Sequence, residues 1–136
     1  MNNDDFDVVI VGSGFGGSVM AYRLSKAGYK VCLLERGQAY APGQFARTPA
    51  QLKQSFWDPK NGLYGLYDYW GFKGMDAIVS SGLAGGSLIY ANVFLEKERD
   101  SFTDWPIDYQ NIKEHYSEVR QMVGVAKYPF EERTPK

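Results

Sequence analysis

The stretch "FDVVIVGSGFGGSVMAYRLSKAGYKVCLLERG", residues 6–37, leaves this chain little freedom in how it folds. It opens with a continuous β-branched run closed by glycine, the pattern of a strand buried on both faces of a parallel sheet. Residues 16–27 follow at helical spacing, with Val19, Met20 and Leu24 on one face and Gly28 as the C-terminal stop. "KVCLLE", residues 30–35, reads as a second buried strand. Strand, tight turn, helix and strand within about thirty residues form a βαβ unit, whose crossover is right-handed.

The turn of that unit spells G-x-G-x-x-G through Gly12, Gly14 and Gly17. The first glycine permits the tight turn, the second lets a pyrophosphate approach the backbone, and the third lets helix and strand pack closely. A helix N-terminus also offers unpaired N–H groups and the positive end of a dipole to phosphates. Glycine-rich turns are common, so the motif is weak alone. Here a strand precedes it, a helix follows, and Glu35 closes the next strand, where a carboxylate can accept hydrogen bonds from an adenosine ribose. The same carboxylate disfavours a 2′-phosphate. This fingerprint predicts a bound dinucleotide and does not separate NAD from FAD.

The remainder is less regular. With 136 residues, 44% of them hydrophobic and 23% charged, the composition is that of a globular domain, and a net charge of -1 gives no footprint for nucleic acid or an anionic membrane. The single cysteine, Cys32, lies in an apolar run, which rules out an internal disulfide framework and a cysteine metal site. Asp58, Asp68 and Asp76 show no metal-ligand spacing. The polar "MNNDDFD" start is unlike a signal peptide and no run is long enough to span a bilayer, so a cytoplasmic protein without a transmembrane segment is expected. Residues 38–75 form an irregular, aromatic-rich segment, with at most a short helix near 50–57. Residues 76–80 suggest a short strand. Residues 108–123 predict an amphipathic helix, with Asp108 as N-cap, Ile112, Tyr116, Val119 and Val123 on one face, and Gly124 as stop.

A second glycine-rich segment, "SSGLAGGSLIYANV" at 80–93, implies backbone packed closely against something flat or bulky. Together with "VIVGSGFGGSVMAYRLSKAGYKVCLLERG" and "DWPIDYQNIKEHYSEV", it resembles the glucose–methanol–choline (GMC) oxidoreductases, in their cholesterol oxidase-like branch. The resemblance runs from about residue 6 to 124. It implies non-covalently bound FAD and oxidation of an alcohol or sterol, with the carbinol hydride passing to the flavin. On the matching positions, Phe15 and Gly16 would lie at the pyrophosphate with Gly12, Gly14 and Gly17, and Glu35 at the ribose. Gly85, Gly86, Ser87, Tyr90 and Asn92 would lie near the flavin ring. Cholesterol oxidases often carry asparagine where this chain has Tyr90, two positions before its own Asn92.

Members of that family are several-fold longer, and their substrate domain and catalytic histidine and asparagine lie toward the C-terminus. The resemblance therefore implies an N-terminal portion of an FAD-binding domain, an incomplete Rossmann-like α/β unit whose substrate domain is absent and whose aromatic stretch at 56–72 is normally covered by the missing remainder of the enzyme. The only histidine, His115, reads as a half-exposed helix residue and not as a base, and no catalytic residue is assigned. The alternatives are another flavoprotein class, an NAD-dependent dehydrogenase domain, and a non-catalytic remnant.

Overall fold

A computed structural model describes residues 5–127. The chain divides into two compact units, Met1–Ala91 and Asn92–Lys136. The first opens with the expected βαβ unit: strand β1 (Val8–Val11), helix α1 (Phe15–Lys26) and strand β2 (Val31–Leu34). The strands pair in parallel, Val8 opposite Val31 through Val11 opposite Leu34. The pairing continues beyond both ends, where the Gly12 N–H donates to the Leu34 carbonyl at 2.7 Å and the Asp7 N–H to that of Lys30 at 2.9 Å.

What positions α1 is a close approach. A Cβ on Gly17 would overlap the Gly12 carbonyl oxygen and stand 3.4 Å from the Ile10 side chain. The half-buried face of the helix consists of Gly17, Ala21 and Leu24. This corrects the expected stripe: Leu24 belongs to it, whereas Val19 and Met20 are exposed. At Gly17, opposite the end of β1, the packing distance admits no side chain. The strands are likewise covered on one face only. Val8 and Ile10 are half-buried, while Val9 and Val11 are 57% and 84% exposed. A parallel strand pair needs cover on both faces, and these strands, read as fully buried, are not. The unit is Rossmann-like and incomplete.

Residues 38–75 are more ordered than their composition indicates. Helix α2 (Pro49–Gln54) starts at Thr48, whose side chain accepts from the Gln51 N–H, and has proline in its first turn. Strands β3 (Trp57–Asp58) and β4 (Leu63–Tyr64) form a short antiparallel pair. Strands β5 (Tyr67–Phe72) and β6 (Met75–Ser80) form a hairpin closed at Phe72 and Met75, with Gly74 in the left-handed region at φ +81°. The strand expected at 76–80 is β6, but β5 and the pairing escape a sequence reading because the strands lack alternation and the turn is Lys73–Gly74, not the Asn-Gly or Asp-Gly pair that marks such turns. Leu66, just before it, is the buried hydrophobic residue among the described residues. The Leu66 carbonyl accepts from the Ser81 N–H at 2.7 Å, and the Gln38 carbonyl from the Leu83 N–H at 3.0 Å, so residues 81–83 are tied to the backbone before β5 and after β2.

The aromatic stretch is layered on this frame. Trp57 meets Tyr64 edge-on at 5.7 Å, and Trp70 stacks on Phe72 at 6.5 Å. Arg36 donates to Asp68 Oδ2 at 2.6 Å and lies 4.8 Å from the centre of the Trp57 ring.

In the second unit, helix α3 (Tyr109–Val123) begins as expected, Asp108 Oδ1 accepting the Gln110 N–H at 2.9 Å, and ends at Gly124 with φ +68°. Ile112 and Tyr116 are half-buried, but Val119 and Val123 of the expected apolar face are exposed. Phe102 packs on Trp105 and Tyr109, and Phe94 on Tyr116. His115 is exposed, 3.7 Å from Glu118.

The glycine contacts give a paired test. Gly17→Ala must push the helix off the Gly12 carbonyl and should lower the urea-derived stability by about 1–3 kcal/mol, the range for overpacking. Gly16→Ala meets nothing within 4 Å. It should leave stability unchanged or raise it by up to about 1 kcal/mol, since alanine favours helix.

Candidate functional site

The first unit holds a cavity of about 490 Å³ whose wall contains Gly12, Gly14, Glu35, Ser80, Gly85 and Gly86. The two glycine clusters, remote in sequence, thus line one space of ligand size. A larger cavity of about 590 Å³ lies at Arg36, Trp57, Lys60, Asp68 and Trp70, but neither glycine cluster reaches it. Chemistry, not volume, singles out the smaller one.

Its walls arise from local backbone requirements. Gly12 sits at φ +90°, which only glycine adopts freely. Gly14, with φ −63°, is under no such demand, and the space where its Cβ would stand is open. Nothing within the chain calls for glycine there, while close approach by a ligand does. Helix α1 starts at Phe15 with no acidic residue in its first turn and no side-chain cap. The N–H groups of Phe15, Gly16 and Gly17 have no intrahelical partner and carry the positive end of the dipole. On the other side, Gly85 comes so near that its Cβ would lie 2.7 Å from the Gly14 Cα. Phe15 meets the Tyr90 ring edge-on at 5.7 Å.

Glu35 is held from several directions. Its Oε2 accepts from the Ser13 N–H at 2.9 Å and the Ser13 hydroxyl at 2.7 Å, and its Oε1 accepts from the Gly37 N–H at 2.9 Å. Burial pushes the carboxyl pKa up, but hydrogen bonds from Ser13, Gly37 and the Arg36 backbone outweigh it and hold the group below the usual carboxylate range.

The remaining sequence-assigned residues divide. Ser87 turns its hydroxyl to the Ala84 carbonyl at 2.9 Å, inside its own turn. Asn92 begins the second unit, in the left-handed region at φ +55°. Sequence reasoning misses Ser13, Ser80 and Ala84. Ser13 is fully buried. Ser80 lines the cavity with a buried hydroxyl that has no hydrogen-bond partner among the described residues. Ala84 is a non-glycine residue at φ +92°. Ser13 occupies a variable position of the fingerprint and Ala84 a position that composition would hand to glycine, so neither carries a signal. No group of three acidic, histidine or cysteine side chains among the described residues could hold a metal ion, and no helix of the described residues is long and apolar enough to cross a membrane.

Open space over Gly12 and Gly14, an orphaned hydroxyl at Ser80, a free helix N-terminus and an ionised carboxylate fit a dinucleotide, which puts the first unit in the class of nucleotide-binding α/β folds. Residues 7–128 match the family described as FAD dependent oxidoreductase, and the chain belongs to that family, whose cofactor is FAD. The chain is 36% identical over 133 residues to a cholesterol oxidase of Mycobacterium tuberculosis, covering 92% of this chain and 22% of the relative. It is 35% identical over 130 residues to a cholesterol oxidase of Acinetobacter baumannii, covering 92% and 23%. A 2-methyl-1,2-propanediol dehydrogenase of Mycolicibacterium austroafricanum is 30% identical over 149 residues, covering 93% and 27%. The chain thus spans about a fifth to a quarter of the length of these relatives. The resemblance read from the two glycine segments is borne out, as is FAD over NAD.

Because the folded-state pKa of Glu35 is lowered, its contribution to stability is fully present above the ordinary carboxylate pKa of about 4.3 and is lost as pH falls through the folded value. Unfolding midpoints should therefore be level in this respect from pH 7 to about 5 and fall below about 4. Glu35→Gln should remove that part of the acid dependence in urea titrations.

Proposed function

We propose that this chain is the N-terminal FAD-binding portion of an oxidoreductase acting on CH–OH groups, with an alcohol or sterol as substrate of the full-length enzyme. The observation that carries the reading is the single cavity walled by both glycine clusters and Glu35. Similarity to cholesterol oxidases and a diol dehydrogenase supports the substrate class. When bound, FAD supplies two-electron chemistry, accepting the hydride equivalent of the carbinol.

The chain's own residues bind and orient. The first-turn N–H groups of α1 at Phe15, Gly16 and Gly17, with Gly12 and Gly14 leaving room, receive the pyrophosphate. Glu35 receives a ribose hydroxyl. Its Oε2 already accepts two bonds from Ser13 and its Oε1 one, from the Gly37 N–H, so Oε1 is the less occupied oxygen. The negative charge repels a 2′-phosphate. Within the first unit, Gly85, Gly86, Ser87 and Tyr90 would face the flavin ring, where backbone N–H groups would stabilise negative charge.

The titratable groups in the cavity wall are Glu35 and Arg36, and Arg36 is engaged by Asp68. Neither is suited to take an alcohol proton, which supports a division of labour: this portion holds the cofactor, and the remainder of the enzyme, its partner, supplies the base and the substrate pocket. The cytoplasm is the proposed compartment, with Cys32 kept reduced.

The purified chain should show flavin absorption bands, as isolated or after addition of FAD, that survive gel filtration, and no oxidation of alcohols or sterols. A folded chain that retains neither FAD nor NAD would sink the binding assignment. Turnover by the chain alone would overturn the division of labour.

A further inference from the structure

Ser13 sits in the β1–α1 turn at one of the fingerprint's variable positions, with its side chain entirely out of solvent. Its hydroxyl has one proton, and that proton goes to Glu35 Oε2 at 2.7 Å. The Ser13 hydroxyl oxygen in turn accepts the Ala84 N–H at 2.9 Å, across 71 positions of sequence. The Ser13 N–H adds a second bond to Glu35 at 2.9 Å, and the Ser13 carbonyl accepts from the Ser18 hydroxyl at 2.6 Å. Ala84 stands at φ +92° with Gly85 next to it at φ +57°, so the second cluster reaches Gly14 through two residues in the left-handed region. For alanine that conformation is strained and persists only where surrounding contacts over-determine it.

We infer that Ser13 is a positioning residue of the FAD site, joining the carboxylate at the ribose end to the backbone of the second glycine cluster through its buried hydroxyl. The inference rests on the FAD-binding function proposed above. The donor order leaves no other arrangement of the proton. The Ala84 N–H can only donate, so the serine oxygen accepts there, and its own hydrogen must point to Glu35, which receives it as a carboxylate. Arg36, the other charged group in the cavity wall, is drawn to Asp68 and Trp57. Ser13 is thereby the side chain that sets the aim of Glu35. Alanine at this position would leave the half-buried Ala84 N–H without its acceptor and Glu35 with one donor fewer, while keeping the backbone bond.

The test uses the full chain as Ser13→Ala, Glu35→Gln and the double variant, each checked for a cooperative unfolding transition. In the cofactor-free chain, NMR should show Ala84 amide exchange faster by tenfold or more in Ser13→Ala and the Glu35 carboxyl titrating at higher pH than in the parent. FAD and ADP affinities, measured by fluorescence, should both fall about tenfold, and the double variant should bind no more weakly than Glu35→Gln. That non-additivity separates positioning through Glu35 from a general loss of stability. A folded Ser13→Ala chain with unchanged Ala84 exchange and Glu35 titration, or strictly additive losses in the double variant, overturns the inference. If the parent chain binds neither FAD nor ADP while exchange and titration respond as expected, the proposed function fails and the Ser13 linkage stands.

Discussion

The approach of helix α1 to the end of strand β1, close enough that only glycine fits at position 17, governs most of the first unit's geometry. It fixes the axis of the helix over the parallel strand pair, and so decides where its unpaired N–H groups emerge. It also holds the connecting turn tight, which buries Ser13 against the end of β2 and puts its hydroxyl within reach of Glu35. Were the helix a side chain's width farther out, the phosphate end would survive in outline, but the turn would have no cause to meet either the carboxylate or the second cluster.

The electrostatics depend on that geometry. A carboxylate beside a proposed phosphate site is unfavourable in itself, and burial adds to the cost. Directed hydrogen bonds from Ser13 and Gly37 outweigh the burial and favour the ionised group. Arg36 is adjacent in sequence, yet its charge is spent on Asp68 and the Trp57 face. The charge that could have neutralised Glu35 instead ties the βαβ unit to the aromatic layer, leaving the carboxylate free for a neutral hydroxyl donor.

How much is legible in the sequence depends on the range of the interaction. The βαβ unit, the helix over 108–123 and the two glycine clusters are written in local patterns of β-branched runs, helical spacing, caps and glycine, and these patterns give nearly the true bounds. Of the β5–β6 hairpin only the second strand is, over 76–80; its partner is not, because Trp70, Phe72, Ile78 and Val79 give apolar character to both faces and erase the alternation that marks a half-buried strand. The true face of α1 is hidden for the opposite reason: the partner selects Gly17 and Ala21, residues that hydrophobic periodicity undervalues. Pairings between distant residues, Ser13 with Ala84 or Arg36 with Asp68, have no single-sequence signature at all. The cavity can be expected at Gly12 and Gly14, but the serines that furnish it cannot.

The span of the Ser13–Ala84 bond also sets an order of assembly. Closing a free loop of that length costs on the order of 4 kcal/mol in chain entropy, more than one hydrogen bond returns. The chain avoids the full cost by shortening the loop in stages. The hairpin and the βαβ unit each close locally, and the Gln38 and Leu66 pairings then bring residues 81–83 alongside. Only a few residues remain to be gathered before Ala84 meets Ser13. The junction of the two clusters is thus the last contact that can form cheaply, and the first that any loosening of the hairpin would undo. Competence to hold a nucleotide then arises at the end of folding, when every earlier tie is already in place.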